Sequence, residues 1–286
     1  MIRIITDSTC EAPPEVLHHP AVTVIPLSVV FGQEALRDGI EITRDQFWAR
    51  LPASDPLPTT SQAIPSDFLG YFEDFTAAGD EVIALVLSSK LSGTYSAATI
   101  AYESHPGWPV EVIDSTSISV GLGLMVQEAV AMVDAGATRA QIVSRLLAMR
   151  EHVHIVFVLE TLEYLQRGGR IGKAQAMVGT LLKFKPLLGI VDGEVVPLGR
   201  VRSKSKALES AQEALLKRVP DRGANARLAF THAVAAEETR ALAARLSAAF
   251  DCRTFFVAEL GPVIGVHVGP GTIGVAVVGK SAYENA

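Results

Sequence analysis

The chain has 286 residues, of which 49% are hydrophobic and 20% charged, with a formal net charge of −6. An acidic balance does not favour a nucleic-acid partner, because phosphate backbones are met by basic faces. The length allows two domains with cores of their own, and the two distant cysteines, Cys10 and Cys252, suit neither a disulfide framework nor a metal site.

No uninterrupted apolar run reaches the roughly eighteen residues of a membrane span. The opening residues Met1-Ile2-Arg3-Ile4-Ile5-Thr6-Asp7 read as a strand entering a turn, without the charged leader and long apolar region of a signal peptide. A reduced cytoplasmic setting without stable membrane insertion is therefore expected.

Taken in chain order, residues 2–6 and 22–30 are β-branched runs of strand character. Thr43 and Gln46 form a capping box ahead of Phe47, Trp48 and Leu51. Ser66 is placed to cap a helix carrying Phe68, Leu69, Phe72 and Phe75, which stops before Gly79. Residues 82–87 and, more weakly, 110–113 are continuous apolar strands, a pattern that suggests a parallel sheet covered on both faces. Helices follow over 119–135 and 139–150, split by Gly136, the second opened by the capping box of Thr138 and Gln141. Residues 153–159 return to strand. Asp192-Gly193 between two apolar runs is a hairpin signal. A helix near 204–218 and strands near 227–231, 253–258 and 272–278 complete the pattern. The expected fold class is α/β with two domains: an N-terminal three-layer α/β/α domain with a mainly parallel sheet over residues 1–155, and a C-terminal two-layer domain with a mixed sheet over 156–286.

The common catalytic signatures are missing. Gly168-Gly169-Arg170-Ile171-Gly172-Lys173-Ala174 lacks the spacing and the hydroxyl of a phosphate loop, and Gly121-x-Gly123 has Val126 where a dinucleotide motif needs glycine. The seven histidines show no metal-ligand pattern, so no metal or cofactor is expected. The basic run from Arg200 to Lys206 reads as a solvated strand end and helix start.

Instead, four hydroxyl-rich turns follow strands: Asp7-Ser8-Thr9, Pro58-Thr59-Thr60-Ser61-Gln62, Ser88-Ser89-Lys90-Leu91-Ser92-Gly93-Thr94, and Asp114-Ser115-Thr116-Ser117. Any one of them is explained as an ordinary helix cap. Four together at the carboxyl ends of parallel strands point to a polar binding end. Ser92-Gly93-Thr94 also opens a helix, whose free N–H groups suit an anion. Near the C-terminus, the glycine-rich stretch Gly261–Gly271 holds the lone His267, and is read as a loop in which the backbone approaches something closely. Ser92 as nucleophile, His267 as base and Asp7 or Asp114 as orienting acid would make a serine hydrolase, a reading left open at this point.

These segments, in this order, resemble the DegV family of bacterial lipid-binding proteins, which includes the fatty-acid-binding subunits of fatty acid kinase. The resemblance is carried by Ile5-Thr6-Asp7-Ser8-Thr9-Cys10, Pro58–Gln62, Ser89–Tyr95, Thr161–Leu165 with Gly168–Ile171, and Gly261–Gly265 with His267 and Gly269–Gly271. It implies two α/β domains with a long-chain fatty acid buried between them. The carboxylate would be held by Thr60 and Ser92, with Ser61, Gly93 and His267 beside them. Arg170 and Arg202 would face a separate ATP-dependent kinase related to dihydroxyacetone kinase, which converts the carboxylate to an acyl phosphate. On that reading the chain is a carrier, not an enzyme alone; a lipid-binding regulator without a kinase is the other form the resemblance allows. The chain departs from the family pattern at Ala63-Ile64, and at Val266 and Val268, which flank His267 where threonines are common. Met177, Val178, Leu181, Leu182, Phe184, Leu187 and Leu188 are candidates for the wall of an apolar tunnel.

Overall fold

The computed structural model describes residues 1–179, 184–220, 226–252, 254–279 and 281–284. The chain opens with β1 (Ile2–Asp7), the short helix α1 (Pro14–Leu17), β2 (Val22–Ile25), β3 (Ser28–Phe31) and β4 (Glu34–Arg37). The run 22–30 is thus two strands. Pro26 has no N–H for a ladder, and after it the chain leaves the first sheet for a small antiparallel one. Helix α2 (Arg44–Arg50) is capped by Thr43 and Gln46 as the sequence predicts. Strand β5 (Thr59–Ser61) then joins β3 and β4.

Helix α3 (Pro65–Ala77) starts two residues earlier than a Ser66 cap predicts, with Ile64 in the cap position. Pro65 presets the first helical residue, and the Asp67 carboxylate accepts the Ile64 N–H at 2.8 Å in place of a serine cap. Strand β6 (Glu81–Val86), α4 (Thr94–Glu103), β7 (Val110–Asp114), α5 (Ser119–Asp134), α6 (Arg139–Arg150) and β8 (Val153–Val158) follow. Then come α7 (Glu163–Arg167) and the hairpin strands β9 (Lys185–Val191) and β10 (Glu194–Val201). Asp192 and Gly193, both at positive φ (50° and 78°), make the two-residue turn between them. The chain continues through α8 (Lys204–Arg218), β11 (Arg227–His232), α9 (Ala236–Phe250), β12 (Thr254–Glu259), α10 (Pro262–Val268), β13 (Ile273–Val278) and α11 (Ser281–Glu284).

Two large sheets organise these elements. The first is all parallel, in the order β2-β1-β6-β7; the second is mixed, in the order β10-β9-β8-β13-β11-β12. This is the two-domain α/β fold that the sequence predicts. Period-two alternation assigns each strand face. In the first sheet Ile5, Val82, Ala84 and Val86 pack with Phe68, Phe72 and Ala98 of α3 and α4. Ile4, Ile83 and Leu85 pack with Leu122, Val126, Ile142 and Leu146 of α5 and α6. In the second sheet Val156, Leu228, Phe230 and Val275 face α8 and α9. Ile155, Phe157, Ile190 and Ala229 face inward and share the core of α5 and α6. These two helices therefore form a layer common to both sheets.

Helix α5 is buried from Ser119 to Leu124 on every side, which explains the Gly121-x-Gly123 spacing. A Cβ at Gly123 would overlap the carbonyl oxygen of Glu11, so the helix lies backbone-to-backbone against the segment after β1. These glycines serve close packing.

The stretch Gly261–Gly271 is not simply a loop. Pro262–Val268 is α10, with Pro262 at its first turn and Gly269, at φ 70°, ending it. Proline at the start and glycine just past the end are the ordinary punctuation of a helix. No helix among the described residues is long and apolar enough to cross a membrane.

Candidate functional site

A chamber lies between the carboxyl ends of the first sheet and the inner face of the second. It encloses ≈ 910 Å3 of non-atom space, mouth included. Ile155 and Phe157 of β8, Ile190 of β9, Val195 of β10 and Val263 and Ile264 of α10 give it apolar walls. Of the predicted tunnel residues, Met177, Val178, Phe184, Leu187 and Leu188 are not among those that line the chamber; Leu187 packs under α8 and α9, and Leu181 and Leu182 lie outside the described residues.

Polar groups gather at one end: Thr60, Ser61, Gln62, Ser92, Arg170 and His267. Strand β5 holds Thr60 opposite Val29 of β3, and α10 delivers His267, so that Thr60 Oγ1 and His267 Nε2 lie 2.8 Å apart. Burial, aided by the nearby Arg170 guanidinium, lowers the imidazole pKa to about 4. His267 is therefore neutral at physiological pH and carries one N–H. Its Nδ1 is buried against Gly168 without a hydrogen-bond partner. A buried orphan N–H is rarer than an unused lone pair, which assigns the proton to Nε2. That N–H then donates to Thr60 Oγ1, and the hydroxyl proton of Thr60 is left to point elsewhere.

The loop after β6 brings up the second hydroxyl. Ser92 Oγ lies 2.9 Å from Thr94 Oγ1 and accepts the Thr94 N–H at 3.3 Å, at the start of α4. The Gly93 N–H, which the sequence offers to an anion, donates to Gln62 Oε1 at 2.9 Å. Gln62 sits beside Thr60 in the same motif and was not singled out by sequence reasoning; its amide oxygen occupies the donor that an anion would use. Ser61 is exposed at the mouth. Arg170 spans the entrance, donating from Nε to the Leu91 carbonyl (3.1 Å) and from Nη1 to the Gly168 carbonyl (2.9 Å). Arg202 is exposed outside the chamber, its guanidinium over the Phe184 ring.

The other predicted acids serve the scaffold. Asp7, fully buried, accepts Thr9 N–H and O–H through Oδ1 and the Leu87 N–H through Oδ2, tying β1 to the end of β6. Burial raises its proton affinity against the pull of those donors. Asp114 accepts the Ser89 and Thr116 N–H groups. Neither reaches His267, which bonds Thr60 and not Ser92, so the residues of the hydrolase reading are not arranged as a triad. Among the described residues no group of His, Cys, Asp and Glu could hold a metal ion.

Fold and site together define an α/β protein built round an apolar chamber whose mouth carries hydroxyls, a neutral imidazole and the Arg170 guanidinium. The chain belongs to the DegV family of uncharacterised proteins, whose model matches residues 1–280. It is 37% identical over 281 residues to a DegV domain-containing protein of Deinococcus radiodurans, covering 98% of this chain and 99% of that one. A fatty-acid-binding DegV family protein from Thermus thermophilus superposes with a TM-score of 0.91 at 35% identity, over 97% and 99% of the two chains. A stearic-acid-binding protein from Eubacterium ventriosum gives 0.89 at 30% identity, over 98% and 99%.

Proposed function

We propose that this chain is a cytoplasmic fatty-acid carrier that buries a long acyl tail in the chamber and presents the carboxylate at its mouth. The observation that carries this reading is the pairing of Thr60 with a neutral His267 at the polar end of an otherwise apolar cavity. The solved relatives named above bind fatty acids. Each buried methylene contributes about 0.8 kcal/mol, so a sixteen-carbon tail gains roughly 10 kcal/mol before ordering costs. The head group needs donors without a competing charge. The Thr60 and Ser92 hydroxyls supply them, Ser61 stands at the rim, and the Gly93 N–H joins when the Gln62 side chain swings aside. Neutral donors leave a carboxylate oxygen nucleophilic, which suits transfer of a phosphoryl group to it by a separate ATP-dependent kinase; no metal or cofactor of the carrier is required. Arg170, at the mouth, and Arg202, exposed outside it, are the residues we assign to the kinase partner.

Native mass spectrometry of the purified chain, followed by identification of the released lipid, tests the carrier role. One equivalent of fatty acid is the expected result; a chain that arrives empty and takes up no added fatty acid overturns it. With the cognate kinase, Arg170→Ala and Arg202→Ala should retain lipid and lose phosphorylation. Unchanged phosphorylation in both would overturn the partner assignment.

A further inference from the structure

In the first hydroxyl-rich turn, Asp7-Ser8-Thr9, Thr9 lines the chamber and Asp7 is spent on joining β1 to β6. Glu11 is different. Its side chain is 1% exposed, and three donors from three separate elements converge on its carboxylate. Oε1 accepts the N–H of Gly261, which caps α10, at 2.8 Å. Oε2 accepts the hydroxyl of Ser119, the first residue of α5, and that of Thr231 in β11 at 3.1 Å. Ser119, Thr231 and, from α10, Val263, Ile264, His267 and Val268 line the chamber.

We propose that Glu11 is a positioning residue of the acyl chamber, one carboxylate that fixes three of its walls and holds their polar atoms away from the tail. The proposal rests on the carrier reading and deepens it. A second observation points the same way. Ser119 is held at φ 57°, a left-handed conformation that is costly for a non-glycine residue and persists only where surrounding contacts impose it. Its hydroxyl bond to Glu11 and the Glu11 N–H to Ser119 carbonyl bond (3.4 Å) are such contacts. With that anchor gone, Ser119 relaxes, and Ile118 and Val120 on either side of it, both facing the chamber, move.

The position along the tail follows from α10. Gly261, held by Glu11, lies six positions before His267 at the mouth, or about 9 Å of helix at about 1.5 Å per residue. A tail that runs along α10 from the mouth advances about 1.2 Å per bond, so on that path Glu11 acts from about the ninth carbon onward. It affects long chains and spares short ones. A residue that merely supported the fold would weaken both alike.

The experiment measures affinity and dissociation rate of palmitate and octanoate for the wild-type chain, Glu11→Gln and Thr231→Val. Glu11→Gln keeps the shape but puts an amide nitrogen where an acceptor is needed; Thr231→Val removes one arm and keeps the β-branched form. The expected result is palmitate dissociation at least fivefold faster in Glu11→Gln, a smaller increase in Thr231→Val, and octanoate affinity within twofold of wild type in both. Equal weakening of the two acids, or no change in either, overturns the proposal. Should Glu11→Gln fail to fold, the palmitate-to-octanoate ratio of Thr231→Val alone decides it. A wild-type chain that binds neither acid refutes the carrier reading instead, which separates the two failures.

Discussion

Replacing Thr60 by valine isolates the head-group interaction. Valine keeps the volume and β-branching that suit β5 and deletes only the hydroxyl. Two partners are lost: the fatty-acid carboxylate that the proposed carrier role assigns to Thr60, and His267 Nε2–H, which Thr60 accepts at 2.8 Å. A hydrogen bond to a charged group is worth about 1.5–3 kcal/mol, or about 10- to 150-fold in affinity. The loss should fall near the lower end, because the freed Nε2–H can itself turn to the carboxylate. The assay compares palmitate with the sixteen-carbon alcohol by calorimetric or fluorescence titration, in wild type and variant. The alcohol shares the tail and lacks the charge. Thr60→Val should weaken palmitate about tenfold and leave the alcohol nearly unchanged. Equal losses for both ligands would show that Thr60 shapes the chamber and does not hold the head group. An unchanged palmitate affinity would remove Thr60 from the site.

Other consequences are open to direct measurement. Because burial lowers the His267 pKa to about 4 from an ordinary 6.5, its ring should not titrate above about pH 5 in an NMR series and should report the Nε2–H tautomer. The sign for stability follows: below pH 6.5 the unfolded chain takes up a proton that folded His267 refuses, so stability falls between pH 6.5 and 4 by up to about 3 kcal/mol from this residue. The comparison of wild type with His267→Gln across that range measures it. Gly123→Ala places a methyl group against the Glu11 carbonyl, which is backbone and cannot step aside; a loss of about 3 kcal/mol or more in denaturant unfolding is expected. Ser88 Oγ donates to the Gly193 carbonyl at 2.8 Å, fastening the tip of the β9–β10 hairpin to the loop that carries Ser92. Ser88→Ala should cost about 1–3 kcal/mol of stability by leaving that buried carbonyl unpaired and should speed lipid exchange; an unchanged exchange rate would separate the hairpin from entry and exit.

What the sequence determined by itself is local. The Thr43 and Thr138 caps, the Asp192-Gly193 turn, the apolar strands and their alternation with helices all follow from interactions within a few residues, where periodicity and turn chemistry act. Three of the hydroxyl-rich turns, after β1, β6 and β7, were visible for the same reason: parallel strands separated by helices place their following turns at one edge; the fourth, at 58–62, is not a turn but carries strand β5 of the antiparallel sheet. Short-range signals also misled where two were superimposed. The glycines of 261–271 suggested an open loop, yet Pro262 and Gly269 delimit a helix, and Pro26 divided a run that β-branching joined.

The tertiary structure alone decided which groups meet. Thr60 and His267 are 207 residues apart, and their contact depends on β5 joining β3 and on α10 packing against those two strands. Gln62 reads as a neutral polar residue until it is seen on the Gly93 N–H. Glu11 reads as a charged residue at the surface, since an isolated carboxylate is costly to bury. Only the arrival of Ser119, Thr231 and Gly261 from three distant segments supplies the donors that make its burial possible. Such convergence is set by strand order and by the packing of α5 between two sheets, and neither leaves a periodic mark in the chain.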